Sequence, residues 1–125
     1  MNIRKAAMIG CGFVGASSAF ALMQSGIFSE MVMIDADHAK AEGEAMDLSH
    51  GLPFARPVKI YDGDYDDIVD AGIIIITAGA NQKPDEKRLD LQKRADQRAN
   101  AGQTPRRAEI FEILNRKHLA HRRAL

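Results

Sequence analysis

The chain is poor in the residues that mark several familiar classes of protein. Its 125 residues include one cysteine, Cys11, four prolines, no tryptophan and only 6% aromatic residues. A single cysteine cannot form an internal disulfide, which excludes a disulfide-stapled scaffold and favours a reducing compartment. The formal net charge of zero provides no overall attraction to nucleic acid or to an acidic membrane.

Long hydrophobic runs are also missing. Residues 6–29 carry no charge, but glycines, serines and a glutamine interrupt them, and only five residues separate Lys5 from Cys11. That spacing is too short for the apolar core of an export signal, and the interrupted run does not resemble a membrane span. We therefore expect a cytoplasmic protein with no membrane partner.

The charges are unevenly divided along the chain. Residues 1–91 hold 8 basic and 14 acidic side chains, a balance of minus 6, whereas residues 92–125 hold 9 and 3, a balance of plus 6. This shift predicts a folded domain over residues 1–91 and a basic, partly helical tail over residues 92–125, with a helix starting near Thr104 and Pro105. The tail has Phe111 as its one aromatic residue, so it lacks interleaved aromatics and we expect no nucleic-acid partner.

Apolar runs alternate with helical patterns in the first segment. The patterns predict strands at residues 6–9, 31–34, 58–61 and 73–77, helices at residues 13–23 and 38–49, and an exposed loop at residues 81–90. Such alternation is typical of parallel βαβ units. We expect an α/β fold with a Rossmann-type doubly wound parallel sheet, truncated after about four strands, whose fourth strand forms an open edge.

Gly10, Gly12 and Gly15 form a G-x-G-x-x-G motif between the first strand and the first helix. Asp35 follows 20 residues after Gly15, at the end of the second strand. In this context the glycines allow a tight turn, close approach of a diphosphate and close helix packing, while the acid accepts bonds from a ribose. Because the charge of Asp35 would repel a 2′-phosphate, the motif predicts NAD rather than NADP as cofactor.

Several longer motifs identify a family. The glycine turn, Ile34-Asp35, and residues 42–51, 77–84 and 88–91 together resemble the amino-terminal part of bacterial L-lactate dehydrogenases, in the lactate/malate dehydrogenase family. The resemblance covers residues 3–91. It implies NAD-dependent interconversion of pyruvate and L-lactate in fermentation, by enzymes that are commonly homotetramers.

The resemblance also implies roles for individual residues. Cofactor contacts would fall on Gly10, Gly12, Phe13, Val14, Gly15, Asp35, Lys40, Tyr65, Gly79 and Ala80. Substrate contacts would fall on Gln82 and Arg88 in a mobile loop, with Arg88 as a catalytic residue that polarises the carbonyl of pyruvate. Malate dehydrogenases carry an arginine in place of the neutral amide of Gln82, so lactate is favoured over malate.

We find no resemblance to the family after residue 91, and the family's proton-donating histidine, its carboxylate partner and a second arginine come later. We therefore expect the chain to be inactive alone; the alternatives are a non-catalytic NAD-binding module or fragment and, within the class, a malate dehydrogenase. Asp85 and Lys87 depart from the glycine and the small hydroxyl residue usual in the family. His118 and His121 have no partner ligands in the sequence, so no metal is predicted.

Overall fold

In the computed structural model, residues 1–79, 84–101 and 107–124 are described. The strands are β1 (Asn2–Ile9), β2 (Glu30–Ile34), β3 (Lys59–Asp62) and β4 (Ala71–Ile76). The helices are α1 (Phe13–Ser25), α2 (His38–His50), α3 (Arg88–Asn100) and α4 (Arg107–Ala124), with a short 3₁₀ turn at Leu52–Phe54. None of the helices in these described ranges is long and apolar enough to cross a membrane.

The four strands form one parallel sheet in the order β3-β2-β1-β4. Ile9 at the end of β1 is level with Ile34 on β2 and with Ile76 on β4. The carboxyl ends of these strands therefore meet at one edge of the sheet, where α/β proteins bind their ligands. The predicted α/β fold with four parallel strands is confirmed, and β4 lies at an edge of the described sheet, as expected.

Helices cover both faces of the sheet. On one face Met8 and Met33 pack with side chains of α1 and α2, such as Met23 and Leu48. On the other face Ile110 of α4 is buried among side chains that include Ile9, Ile34 and Ile68. A β-strand buried on both faces reads as a continuous apolar run, which explains the uncharged cores of β1 and β2.

The end of the predicted loop before α3 differs from the sequence prediction. The loop expected at residues 81–90 ends early, because α3 already begins at Arg88. The N–H groups of Asp90 and Leu91 donate to the carbonyl of Lys87, and the acidic side chain of Asp90 in the first turn suits the positive end of the helix dipole. The predicted helix start at Thr104 and Pro105 lies outside the described residues.

A buried lysine is paired with two partly exposed carboxylates near the amino edge of the sheet, opposite the carboxyl ends. The side chain of Lys5 is buried, and its Nζ lies 2.9 Å from Oδ1 of Asp70 and 3.3 Å from Oε1 of Glu30. The hydroxyl of Tyr61 donates to the same Glu30 oxygen at 2.7 Å. Burial alone would lower the pKa of Lys5, but its hydrogen bonds to Asp70 and Tyr61 raise that pKa above the usual range. The ammonium group therefore stays charged inside the fold.

Candidate functional site

The glycine turn links β1 to α1 at the carboxyl edge of the sheet, and two of its glycines are required by packing. Gly10 has a φ of +98°, and a Cβ on it would lie 2.5 Å from the amide nitrogen of Ala78. A Cβ on Gly15 would lie 1.9 Å from the carbonyl oxygen of Gly10. That carbonyl also accepts a 2.8 Å hydrogen bond from Oγ1 of Thr77. Gly10 and Gly15 thus let β1, α1 and the end of β4 meet closely.

Gly12 is different, because it faces open space. A Cβ on Gly12 would meet no atom within 4 Å. The residue is the N-cap of α1 and supplies no side-chain cap, so the first N–H groups of the helix are left for another acceptor. A helix start of this kind binds anions through its N–H groups and its dipole, and the open surface at Gly12 gives an anion room to approach.

Asp35 stands beside this turn, directly after β2. Its Oδ2 accepts a 2.7 Å hydrogen bond from the backbone N–H of Cys11, and its Oδ1 accepts a 3.0 Å bond from the N–H of Asp37. Both bonds come from the backbone, so they fix the orientation of the carboxylate. A carboxylate oxygen has two acceptor positions, so each oxygen keeps one for a ligand hydroxyl.

Cys11 contributes its backbone to the site and its side chain to the core. The side chain is fully buried, with Sγ 3.7 Å from the carbonyl of Ile34. Burial, together with the charges of Asp35 and Glu44, raises the pKa of the Cys11 thiol to about 11. The cysteine is therefore a protonated packing residue, which agrees with the structural role that its small size suggests.

Two further predicted contacts lie near Asp35. Tyr65 is half-buried, and burial followed by the charge of Asp35 raises the pKa of its phenol. Lys40 is exposed in the first turn of α2, and its charge acts on the Cys11 thiol. The first turn of α2 follows Asp35 closely in the chain, and Tyr65 packs against the cluster that contains Ile34.

The remaining predicted site residues are described to different extents. Phe13 and Val14 are 85% and 63% exposed in the first turn of α1, and Gly79 is exposed after β4. Ala80 and Gln82 lie outside the described residues. Arg88 is the first residue of α3, and the placement of its side chain is not among the described parts of the structure.

The segment before α3 carries a strained residue and a double hydrogen bond. Asp85 has a φ of +65°, a left-handed conformation that glycine adopts without cost and aspartate tolerates. Nε and the Nη2 atom of Arg94 donate to the two carboxylate oxygens of Glu86 at 3.0 and 2.8 Å. This bidentate pair ties the segment before Arg88 to the second turn of α3.

Sequence reasoning did not single out Thr77 or the backbone N–H of Cys11 as parts of the site. The position of Thr77 at the end of an isoleucine strand is a signal, since a hydroxyl there can reach the neighbouring turn. The bond from Cys11 to Asp35 carries no sequence signal, because every residue but proline has an N–H group. Across the described part of the chain, no group of His, Cys, Asp or Glu side chains could hold a metal ion.

The sequence matches a family model for the lactate/malate dehydrogenase NAD binding domain over residues 4–101. The match runs ten residues beyond residue 91, where the sequence analysis expected the resemblance to end. L-lactate dehydrogenase of Acetivibrio thermocellus is 58% identical over 92 residues, which cover 74% of this chain and 29% of that protein. L-lactate dehydrogenase of Bacillus caldotenax is 61% identical over 88 residues, 70% of this chain and 28% of the relative. The chain therefore spans less than a third of the length of these curated relatives.

Solved structures agree with the sequence comparison. The crystal structure of minor L-lactate dehydrogenase from Enterococcus mundtii has a TM-score of 0.73 and 37% identity, covering 92% of this chain and 34% of that one. The crystal structure of MGS-M5, a lactate dehydrogenase from a Medee basin deep-sea metagenome library, has a TM-score of 0.72 and 41% identity, covering 94% of this chain and 35% of that one.

The parallel sheet, the glycine turn beside Asp35 and these similarities point to the same dinucleotide-binding architecture, and they confirm NAD as the cofactor that the motif predicts. The match to the family model covers most of the chain. This chain therefore belongs to the lactate/malate dehydrogenase family, over its NAD-binding domain.

Proposed function

We propose that this chain is the NAD-binding part of an L-lactate dehydrogenase, whose reaction is the NAD-dependent interconversion of pyruvate and L-lactate. The observation that carries the proposal is the pairing of the Asp35 carboxylate with the glycine turn through the N–H of Cys11. This pairing places a fixed anion next to an uncapped helix start with open space above it. The relatives named above are L-lactate dehydrogenases, which supports the reaction class.

The residues of the turn fit an NAD molecule. The diphosphate would approach Gly12, where no side chain stands in the way, and would accept bonds from the N–H groups of Phe13 and Val14. The free acceptor positions on Asp35 suit the two hydroxyls of the adenosine ribose. A 2′-phosphate at the same place would meet the negative charge of Asp35, so NAD is preferred over NADP.

The remaining cofactor contacts follow from their positions around the turn. We propose that Tyr65, which packs against the cluster that contains Ile34, lies near the adenine, and that Lys40, in the first turn of α2 after Asp35, lies on the adenosine side. Gly79 and Ala80 would follow the cofactor along the carboxyl end of β4. Gly10 and Gly15 act through packing and hold the turn in place.

The substrate end of the proposal depends on Gln82 and Arg88. When bound, NAD supplies the hydride acceptor or donor. Arg88 would polarise the carbonyl of pyruvate and stabilise the charge that develops on its oxygen. Gln82 would lie beside the substrate methyl group. Malate has a second carboxylate at that place, and the neutral amide of Gln82 would leave it unpaired, so malate is disfavoured.

We expect the 125-residue chain by itself to bind NADH without turning pyruvate over. The reduction also needs a proton donor and a second group that grips the substrate carboxylate, and the family resemblance places neither within residues 1–91. The same proposal includes a domain over residues 1–91 followed by a basic tail over residues 92–125. It also includes a cytoplasmic location and the homo-oligomeric state of the family. Loss of a positioned general acid alone costs about 10² to 10⁴ in rate.

An NADH titration followed by fluorescence, with pyruvate then added to the same cuvette, tests the proposal. Saturable binding without NADH oxidation is the expected result. Asp35→Asn should weaken binding about tenfold or more, because a charge-assisted hydrogen bond contributes about 1.5–3 kcal/mol. Asp47→Asn, an exposed aspartate on α2, is the matched control and should bind as the unmodified chain does. Equal binding by both variants, or no binding at all, would refute the proposed site.

A further inference from the structure

The peptide group between Gly10 and Cys11 is held at both ends by side chains. At one end, Oγ1 of Thr77 donates a 2.8 Å hydrogen bond to the carbonyl oxygen of Gly10. At the other end, the N–H of Cys11 donates a 2.7 Å bond to Oδ2 of Asp35. Because a trans peptide group is planar, its C=O and N–H point in opposite directions and can only turn together. The hydroxyl of Thr77 and the carboxylate of Asp35 are therefore connected through one rigid group.

The two side chains come from the two strands that flank β1. Thr77 directly follows β4, and Asp35 directly follows β2. Backbone bonds join the same strands, since the N–H of Thr77 donates to the carbonyl of Ile9 at 2.8 Å and the N–H of Gly10 donates to the carbonyl of Ile34 at 2.7 Å. The backbone bonds fix the end of β1, and the Thr77 hydroxyl fixes the peptide group that comes next.

The third glycine of the motif leaves room for this hydroxyl. A Cβ on Gly15 would lie 2.7 Å from Oγ1 of Thr77, besides its closer approach to the carbonyl oxygen of Gly10. Real Cβ atoms essentially never come within 3.0 Å of another heavy atom, so the hydroxyl fills space that only glycine leaves free. Thr77 is half-buried, and a hydrogen bond in such a place competes less with water than an exposed one does.

We propose that Thr77 is a positioning residue for cofactor binding, whose hydroxyl orients the Asp35 carboxylate through the peptide group between Gly10 and Cys11. The inference rests on the proposed function, in which Asp35 accepts the hydroxyls of the adenosine ribose. Without the hydroxyl, the peptide group keeps one of its two side-chain bonds and can turn, because the glycine before it has a wide choice of dihedral angles. The carboxylate would then be oriented only by the N–H of Asp37.

NADH titration of two variants at position 77 tests the proposal. Thr77→Val replaces the hydroxyl by a methyl group, and we expect it to weaken NADH binding about two- to tenfold, the range for one hydrogen bond. Thr77→Ser keeps the hydroxyl and should bind NADH as the unmodified chain does. Ser49→Ala is the matched control, because it removes a 2.7 Å bond from a hydroxyl to the carbonyl of Ala45 on α2, and its NADH affinity should not change. Normal binding by the valine variant, or equally weak binding by the serine variant, would overturn the proposal.

A double-mutant cycle shows whether Thr77 acts through Asp35. In a chain that carries Asp35→Ala, no carboxylate remains to be oriented, so Thr77→Val should change NADH affinity less than it does in the unmodified chain. Residues linked through a shared group give such non-additive effects, whereas independent sites give additive ones. Equal effects in the two backgrounds would refute the link. Thermal melts confirm that each variant is folded at the temperature of the titration.

Amide hydrogen exchange tests the same link without a cofactor. In Thr77→Val the N–H of Cys11 should exchange about two- to tenfold faster. The N–H of Lys59, which donates to the carbonyl of Ser29 at the far end of the sheet, should exchange at an unchanged rate, and Thr77→Ser should alter neither. An equal rise at both amides would indicate general destabilisation and contradict the proposal. Absence of NADH binding by the unmodified chain would refute the proposed function, whereas unchanged exchange at Cys11 in the valine variant would refute the role of Thr77 alone.

Discussion

Gly12 and Gly15 stand three residues apart in one turn, yet replacing each by alanine should have different consequences. At Gly15 the new Cβ would lie 1.9 Å from the carbonyl oxygen of Gly10, whereas real contacts of this kind are longer than 3.0 Å. The backbone must therefore move, which costs about 1–3 kcal/mol as overpacking. The movement also disturbs the Thr77 hydrogen bond to the same oxygen, worth about 0.5–1.5 kcal/mol.

Alanine at position 15 offsets part of this cost, since it is about 1 kcal/mol better than glycine inside a helix. We expect Gly15→Ala to lower the free energy of unfolding by about 1–3 kcal/mol, or the melting temperature by roughly 4–11 °C for a chain of this size. Gly12→Ala meets no atom within 4 Å, and its φ of −75° suits alanine. Its cost should stay within about 1 kcal/mol, the difference between glycine and alanine as an N-cap.

The effect on NADH affinity should be larger at Gly12, the position where the effect on stability is smaller. A methyl group on Gly12 would occupy the approach of the diphosphate, so we expect NADH to bind the Gly12→Ala variant at least about tenfold more weakly, a loss of about 1.4 kcal/mol. Thermal unfolding followed by circular dichroism and NADH fluorescence titration measure the two effects. Unchanged NADH affinity in Gly12→Ala would refute the placement of the diphosphate, and an unchanged melting temperature in Gly15→Ala would refute the packing argument.

Three further predictions concern stability and reactivity. Asp85→Gly should stabilise the chain by about 0.5–1 kcal/mol, because glycine accepts the φ of +65° without strain; a lower urea midpoint would contradict this. The hydrogen bond from Lys5 holds the pKa of Asp70 below its ordinary 3.8. The ionised Asp70 therefore stabilises the fold above that pH, and this stabilisation is lost as the pH falls further. Melting curves of Asp70→Asn at decreasing pH should lack this part of the acid sensitivity. Burial raises the pKa of Cys11 to about 11, so a thiol reagent should label it slowly at mildly alkaline pH and rapidly in urea, and equal rates would show that the thiol is accessible.

The strands and the first two helices were predictable because their signals are local. An uncharged run such as residues 31–34 can be satisfied only inside a sheet covered on both faces, and Gly26 ends α1 in the left-handed conformation that glycine favours. The start of α3 was less predictable, because the polar residues before it suit a loop as well as a helix end. The hydrogen bonds back to Lys87 that decide the boundary do not follow from composition.

The candidate site also has one part that the sequence predicts and another that only the structure shows. The spacing of the glycines and of Asp35 predicts a dinucleotide turn, because only small residues let a backbone approach a diphosphate. That spacing does not say which glycine packs and which faces open space; the distances from Gly15 and Gly12 to their neighbours decide it. It also does not reveal the two backbone bonds that orient Asp35.

The sequence by itself determined the parallel α/β fold, the glycine turn and the preference for NAD, since each depends on residue type at short spacing. Only the tertiary structure decided how Lys5 is neutralised by Asp70 and Glu30 and where α4 packs. These features join residues distant in the chain, such as Lys5 and Asp70, which are 65 positions apart. Local patterns cannot specify such pairs, because many registers bury similar apolar area and only the packed sheet selects one of them.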